Sequence, residues 1–119
     1  RILPNNNNNY PIKKASENGY INIVKILLKD SRVNPTEIEN YSIQMAAELG
    51  HTNIVKLLLE DPRVDPSDCL NYAIRFAYTN GHLDIVFLLW KNEKVKNTLK
   101  NINLHLYNEL MLKENIKNF

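Results

Sequence analysis

The apolar residues of this chain fall into short blocks with the spacing of amphipathic helices. In the middle of the chain, a helix is predicted from Tyr41 to Leu49, and Gly50 ends it because glycine readily adopts a left-handed turn. A second helix is predicted from about Thr52 to Glu60, where Ile, Val and Leu residues form a wide apolar stripe. Neither segment reaches the roughly 12–15 residues at which an isolated helix is marginally stable. We therefore expect that stacking against neighbouring units supplies the stability.

This pair of predicted helices recurs with a period of 31 residues. The three glycines of the chain stand 31 residues apart, and self-similarity at a fixed interval is the signature of a stacked repeat. The residues that keep the interval are Gly19, Gly50 and Gly81; Tyr10, Tyr41 and Tyr72; Asn9, Asn40 and Asn71; Pro4, Pro35 and Pro66; and Arg1, Arg32 and Arg63. The period predicts units over residues 1–31, 32–62 and 63–93, and because it is in register at residue 1 we expect an array truncated at its N-terminal end.

The pattern decays in residues 94–119. No glycine occupies the next repeat position, but Leu99, Ile102, Leu106 and Leu110 can still form one apolar stripe. The stripe predicts a single capping helix over residues 98–117, packed on a buried Trp90, because the end of a repeat stack needs a closing element. The fold class expected is an all-α solenoid of three helix-turn-helix units and this cap.

The second unit carries the residues by which a family can be identified. The run from Ile43 to Leu59, with Ala46-Ala47, Gly50-His51 and then a Val- and Leu-rich helix, resembles the ankyrin repeat. The resemblance covers residues 1 to about 95. The family's Thr-Pro-Leu-His start is replaced by Tyr-Ser-Ile-Gln at residues 41–44, which puts the hydrogen bonds of that threonine and histidine in doubt. The resemblance implies a structural role for His51 and His82.

The shortened connection between units supports a narrower resemblance. Asp61-Pro62-Arg63-Val64 lies where the usual unit of about 33 residues has more chain. This 31-residue form is similar to repeats of giant amoebal viruses and of amoebae, in keeping with the abundance of Asn, Lys, Ile and Tyr. It implies a role in host–virus interaction and a location in the host cytoplasm if the source is viral.

Resemblance to ankyrin repeats implies a scaffold that binds a protein partner on its concave face. That face comprises the loop tips and exposed positions of each first helix, and Asn40 is also a candidate N-cap. By position, the expected contacts in the second and third units are Glu37, Ile38, Asn40, Gln44, Glu48, Leu49, Asp68, Cys69, Asn71, Arg75, Thr79 and Asn80. The first unit adds Asn6, Asn7, Asn9, Lys13, Glu17 and Asn18. Ile38 and Leu49 are the candidate anchors, because apolar side chains at exposed positions mark contact sites.

An alternative function follows from the C-terminal segment. Some ankyrin arrays end in a helix that docks cellular machinery such as a ubiquitin ligase, and the chain would then be an adapter. Exposed apolar surface between Leu99 and Leu112 favours docking, whereas burial against Trp90 favours a cap.

Composition and charge exclude several kinds of partner and function. The 15 basic and 13 acidic residues leave a net charge of +2 without a concentrated basic face, so no nucleic acid is expected as a partner. No apolar run reaches the roughly 18 residues of a membrane span. A single cysteine cannot form an internal disulfide, which favours a reducing cytoplasm. No catalytic, metal-binding or cofactor-binding pattern is present, so we expect a non-enzymatic protein without a cofactor. We also expect the protein to be a monomer.

Overall fold

The computed structural model describes residues 10–116, and for Tyr10 and Ile38 it describes the backbone only. Every regular element in this range is a helix, which confirms the all-α fold class. The helices are α1 (Tyr10–Asn18), α2 (Ile21–Leu28), α3 (Glu37–Leu49), α4 (Thr52–Leu59), α5 (Asp68–Thr79), α6 (Leu83–Trp90), α7 (Glu93–Ile102) and α8 (Leu104–Asn115). None of them is long and apolar enough to cross a bilayer.

The helices stack as pairs into an elongated solenoid that measures 50 × 23 × 21 Å. α1, α3 and α5 form one row and α2, α4 and α6 form a second row behind it. The first row packs through fully buried alanines, Ala46 and Ala47 in α3 and Ala77 in α5, whose small side chains let the helix backbones approach closely. The second row buries its apolar stripes, for example Val55 and Leu58, between the two rows.

A histidine of each later unit closes the turn of the unit before it. The backbone at Gly50 is left-handed, with φ at +85°, as the sequence predicts for a helix C-cap. The imidazole of His82 lies against Gly50, and that of His51 lies against Gly19. His51 Nε2 also donates a hydrogen bond of 2.8 Å to the carbonyl of Glu17, so the histidine joins two units as a structural residue.

The starts of α3 and α5 differ from the prediction. Helical hydrogen bonding begins at Glu37 rather than Tyr41, but Glu39 and Asn40 have φ of 52° and 65°. The first turn is thus left-handed, and the regular helix starts after it. Asn40 was expected to cap its own helix; instead its side chain bonds to the next unit, because the left-handed turn directs it there.

The C-terminal segment contains two helices where the sequence predicts one. Asn103 separates them, because its side-chain oxygen accepts a hydrogen bond of 3.1 Å from the amide of Leu106 and so caps α8. Leu99 of α7 and Leu110 of α8 are both fully buried, as expected. Ile102, placed in the same predicted stripe, is 41% exposed because the break at Asn103 rotates the two halves apart.

Trp90 lies under this closing pair. Its side chain is 1% exposed, and its indole is tilted against the ring of Tyr107 with 5.6 Å between ring centroids. The indole Nε1 donates a hydrogen bond of 2.8 Å to the carboxylate of Glu114. The expected packing of the tryptophan beneath a cap is therefore confirmed.

Candidate protein-binding surface

The candidate site is the surface formed by α1, α3 and α5 together with the loops that precede α3 and α5. We call it the first-helix surface. Its rows of equivalent residues come from the period of the sequence, since residues 31 apart occupy the same position in neighbouring units. The loops are short, and each has a buried proline near its end, Pro35 or Pro66.

Three of the residues expected on this surface are buried. Asn40 is 5% exposed, Gln44 6% and Asn71 0%. Gln44 donates a hydrogen bond to the carbonyl of Glu39, within its own left-handed turn. Burial removes these three amides from the surface available to a partner, because each instead forms hydrogen bonds within the helical stack.

Asn40 and Asn71 each tie a left-handed turn to the following unit. Asn40 accepts a hydrogen bond of 2.9 Å from the amide of Asp65 and donates one of 2.9 Å to the Asp68 carboxylate. Asn71 donates a hydrogen bond of 2.6 Å to the hydroxyl of Thr98. Asparagine suits both positions, because it tolerates left-handed backbone and its amide can bond on both sides.

α7 stands where a further unit would have its loop, and this changes the hydrogen bonding of Asn71. Its side-chain oxygen is buried without a hydrogen-bond partner. The residue equivalent to Asp65 is here Lys96, whose amide donates to the carbonyl of Asn92 within α7 and is no longer available. The closing helix pair therefore fits the last unit less completely than a further unit would.

Tyr72 and Glu48 form a second link between units on this surface. The phenol of Tyr72 donates a hydrogen bond of 2.5 Å to the carboxylate of Glu48. This hydrogen bond, together with burial, raises the pKa of Tyr72 to about 12. Glu48 is half-buried and its carboxylate accepts this hydrogen bond, so it links two units in addition to lying on the first-helix surface.

The left-handed first turn of α5 projects an apolar side chain that the sequence reasoning missed. Leu70 is 69% exposed and has φ of 55°, a backbone conformation that costs a leucine roughly 1–2 kcal/mol. Arg75 holds the turn, because its guanidinium donates to the carbonyls of Leu70 at 2.8 Å and Cys69 at 3.4 Å. The sequence did carry a signal: Leu70 stands where the other units have Glu39 and Asn8.

The remaining predicted residues are distributed along the surface. Leu49, at the end of α3, is 48% exposed. Those that are exposed or half-buried are Glu37, Asp68, Cys69, Thr79, Asn80, Lys13, Glu17 and Asn18. Asn80 donates a hydrogen bond of 2.9 Å to the carbonyl of Glu48, across to the preceding unit. Asn6, Asn7, Asn9 and the side chain of Ile38 lie outside the described part of the structure.

Three polar groups meet beside Leu70. Ligand atoms of Glu39, Asp68 and Cys69 lie within 4.8 Å of one another. Burial raises the pKa of the Cys69 thiol, and the nearby carboxylates of Glu39 and Asp68 raise it further. The thiol donates to Glu39 at 3.5 Å, and Asp68 accepts from the amide of Cys69 at 2.9 Å. A protonated thiol is a poor nucleophile, so this cluster suits hydrogen bonding better than covalent chemistry.

Stacked helix pairs, left-handed glycine turns and inter-unit histidines define the chain as a helical repeat solenoid. A family model described as Ankyrin repeats (3 copies) matches residues 12–103, and the chain therefore belongs to the ankyrin-repeat family. No curated protein and no solved structure gives a significant match. The narrower resemblance to repeats of giant viruses and amoebae has no support from any relative.

Proposed function

We propose that this chain is a protein-binding module whose partner contacts the first-helix surface, centred on Leu70. Ankyrin repeats are generally protein–protein interaction modules, which supports the class of function. The observation that carries the proposal is Leu70 itself, a large apolar side chain held 69% exposed on a strained turn. Strained backbone concentrates at functional sites, and an apolar side chain held exposed on such a turn is a candidate contact anchor.

The energetics favour Leu70 as an anchor. Complete burial of a leucine side chain contributes on the order of 1.5–3 kcal/mol, and the part already exposed is available to a partner. The turn is preorganised by Arg75 and Asn71, so little conformational entropy remains to be lost on binding. Leu49 offers a second apolar contact at the other end of the first helices.

Charge around the anchor indicates the chemistry of the partner. Glu39 is exposed and Asp68 half-exposed beside Leu70, whereas the guanidinium of Arg75 is held on the backbone carbonyls of the same turn. An apolar side chain flanked by Lys or Arg would complement this arrangement, since electrostatic complementarity sets specificity and association rate. We therefore propose a partner segment with an apolar residue next to basic ones.

A site-directed crosslinking experiment tests the proposal. A photoreactive amino acid placed at Leu70, or in a separate variant at Leu49, should capture the same partner from the native source. A matched variant at Leu83, which is 45% exposed on the second row of helices, should not capture it.

The partner so identified then allows a quantitative test. Its affinity should fall at least tenfold for Leu70→Asp and further when Leu49→Asp is added, while Leu83→Asp leaves it unchanged. Equal binding by all three variants, with helicity retained, would exclude this surface.

A second candidate function is the adapter. Leu104 and Leu112 of α8, and Ile116 directly after it, are 56%, 61% and 57% exposed, while Leu106 and Leu110 of α8 are buried. The helix therefore closes the stack and still offers an apolar row to a docking protein such as a ubiquitin-ligase component. Loss of one partner on Leu104→Asp plus Leu112→Asp, with binding at Leu70 intact, would support this function; retention of all partners would refute it.

The proposed setting is a reducing cytoplasm, which is supported by a single cysteine. A role at a host–virus interface rests on the shortened 31-residue unit alone. Detection of the captured partner in the cytoplasmic fraction of the source cell, or of its host, would test both points.

A further inference from the structure

A groove of about 330 Å³ lies between the left-handed first turn of α5 and the helix α7. Leu70, which is 69% exposed, lines it from the α5 side, and Ile102, which is 41% exposed, lines it from the α7 side. The rest of the lining is polar and comes from both elements. We call this space the α5–α7 groove. It combines residues of the last repeat unit with residues of the closing helix pair.

Two links fix the sides of the groove to each other. Lys94 of α7 donates a hydrogen bond of 2.7 Å to the carboxylate of Asp65, in the loop before α5, and the two form an ion pair. Asn71 of α5 donates a hydrogen bond of 2.6 Å to the hydroxyl of Thr98 in α7. A site that is already held in place loses little conformational entropy when it is filled, so the groove offers a preformed space to a ligand side chain.

The charge of the groove is unbalanced. Lys94 is already paired with Asp65. The carboxylate of Asp68 accepts one hydrogen bond at each oxygen, from the side chain of Asn40 and from a backbone amide, and it forms no ion pair with any residue that the structure describes. A carboxylate has about four lone-pair sites, so Asp68 can still accept from a cation. The exposed Glu39 adds negative charge, because its carboxylate lies within 4.8 Å of that of Asp68.

We propose that the α5–α7 groove receives one apolar side chain of a partner segment, in contact with Leu70 and Ile102, and that a Lys or Arg next to it in that segment pairs with Asp68. The inference rests on the proposed function and deepens it, because it makes the closing helix pair part of the binding site. Charge complementarity selects this occupant: a purely apolar segment would cover the Asp68 carboxylate without pairing it, and an acidic segment would be repelled. The exposed amide of Asn101 can donate to and accept from the backbone of such a segment.

Titration with short peptides, followed by NMR of the isotope-labelled chain, tests the groove directly. The probe is the peptide Gly-Ser-Lys-Leu-Lys-Ser-Gly. Two matched controls, Gly-Ser-Glu-Leu-Glu-Ser-Gly and Gly-Ser-Lys-Ser-Lys-Ser-Gly, lack its basic or its apolar side chains. One anchor and one ion pair bind weakly, so we expect a dissociation constant on the order of 1 mM for the probe and about tenfold weaker binding for both controls.

The probe should shift the amide signals of residues 68–70 and 98–102, which face each other across the groove. Absence of shifts in these two segments, or equal shifts with the acidic peptide, would overturn the proposal.

Variants of the chain identify the contacts. Leu70→Asp and Ile102→Asp should each weaken binding of the probe about tenfold, and the double variant should lose less than the product of the two effects, because both side chains contact one leucine. Leu83→Asp is the matched control, since Leu83 is 45% exposed but lies on the second row of helices. Asp68→Asn should weaken binding of the probe and leave unchanged the binding of a version with glutamine in place of lysine. With helicity retained in circular dichroism, unchanged binding by Ile102→Asp would contradict the proposal.

Failure of this proposal is distinguishable from failure of the proposed function. If the partner crosslinked at Leu70 loses affinity with Leu70→Asp but not with Ile102→Asp, the first-helix surface stands and the groove proposal is wrong. If the probe binds in the groove but no cellular partner depends on Leu70, the chemistry of the groove is supported and the proposed function is wrong. In sedimentation analysis, a dimer that Ile102→Asp dissociates would make a second copy of this chain the occupant and overturn the proposal.

Discussion

Replacement of Gly50 by alanine should destabilise the protein more than the same replacement at Gly81. Both glycines end a helix with left-handed backbone, at φ of +85° and +78°, and an alanine there costs roughly 1–2 kcal/mol. A Cβ at Gly50 would in addition lie 2.8 Å from Cε1 of His82 and 3.1 Å from Nδ1, well inside the roughly 3.5–4.0 Å of favourable contact. A Cβ at Gly81 would meet no atom within 4 Å.

The contact with the His82 ring determines how much more Gly50→Ala should destabilise the protein than Gly81→Ala. The His82 ring must move out of its place against Gly50, and overpacking of this kind typically costs about 1–3 kcal/mol. We therefore expect Gly81→Ala to lower the free energy of unfolding by about 1–2 kcal/mol and Gly50→Ala to lower it by about 2–5 kcal/mol.

Urea unfolding of the two variants measures this difference, with helicity at zero denaturant as the check that both fold. The Gly50→Ala, His82→Ala double variant separates the backbone cost of alanine from the steric cost of its contact with His82. In a His82→Ala background, Gly50→Ala should cost only the backbone part, because the imidazole is no longer there. Equal losses at Gly50 and Gly81, or no coupling between Gly50 and His82, would refute the reasoning.

Three further predictions concern the polar links between units. Asn40→Ala should lower the free energy of unfolding by about 1–3 kcal/mol in urea unfolding, because it leaves a loop amide and a carboxylate without their partner. Tyr72 should titrate by ultraviolet absorbance with a pKa of about 12, and Glu48→Gln should bring this pKa back towards about 10. The stability that this hydrogen bond contributes is complete below about pH 10 and is lost as the pH rises through the pKa of the folded state. The hydrogen bond from Trp90 holds the pKa of Glu114 below its usual range, so the fluorescence change that follows its protonation should come at lower pH than for an ordinary glutamate. The stability from this bond is present above the usual glutamate pKa and is lost as the pH falls through the folded pKa.

Each of these has a control. Asn53→Ala, at an exposed position of α4, should change the free energy of unfolding by less than about 0.5 kcal/mol. A Tyr72 titration that is unaffected by Glu48→Gln would remove the proposed cause of the shift. Glu114→Gln should abolish the acid transition in fluorescence, and its persistence would assign it to another group.

The repeat itself could be predicted from the sequence because its signals are local. Gly50 occupies a left-handed turn that other residues adopt only at a cost, and the stripe from Thr52 to Leu59 has helical spacing. These features recur every 31 residues, so each unit supports the interpretation of the next. The family match over residues 12–103 rests on the same pattern.

The break at Asn103 shows where local pattern was insufficient. Leu99, Leu106 and Leu110 are buried, as the stripe predicts, but Ile102 of the same stripe is exposed. Apolar spacing alone cannot distinguish one long helix from two short ones that meet at a cap. The capping bond from Asn103 and the packing on Trp90 decide between them, and both depend on the stack beneath.

The candidate surface depended most on tertiary structure. Asn40, Gln44 and Asn71 look like surface residues in the sequence, but their partners include Asp65, a residue 25 positions away from Asn40. Leu70 is exposed because the left-handed turn carries it outwards. By itself, the sequence determined the period, the turns and the helical stripes, since these follow from the conformational preferences of individual residues. Only the stacking of one unit on the next decided which polar side chains are buried and which apolar ones remain exposed.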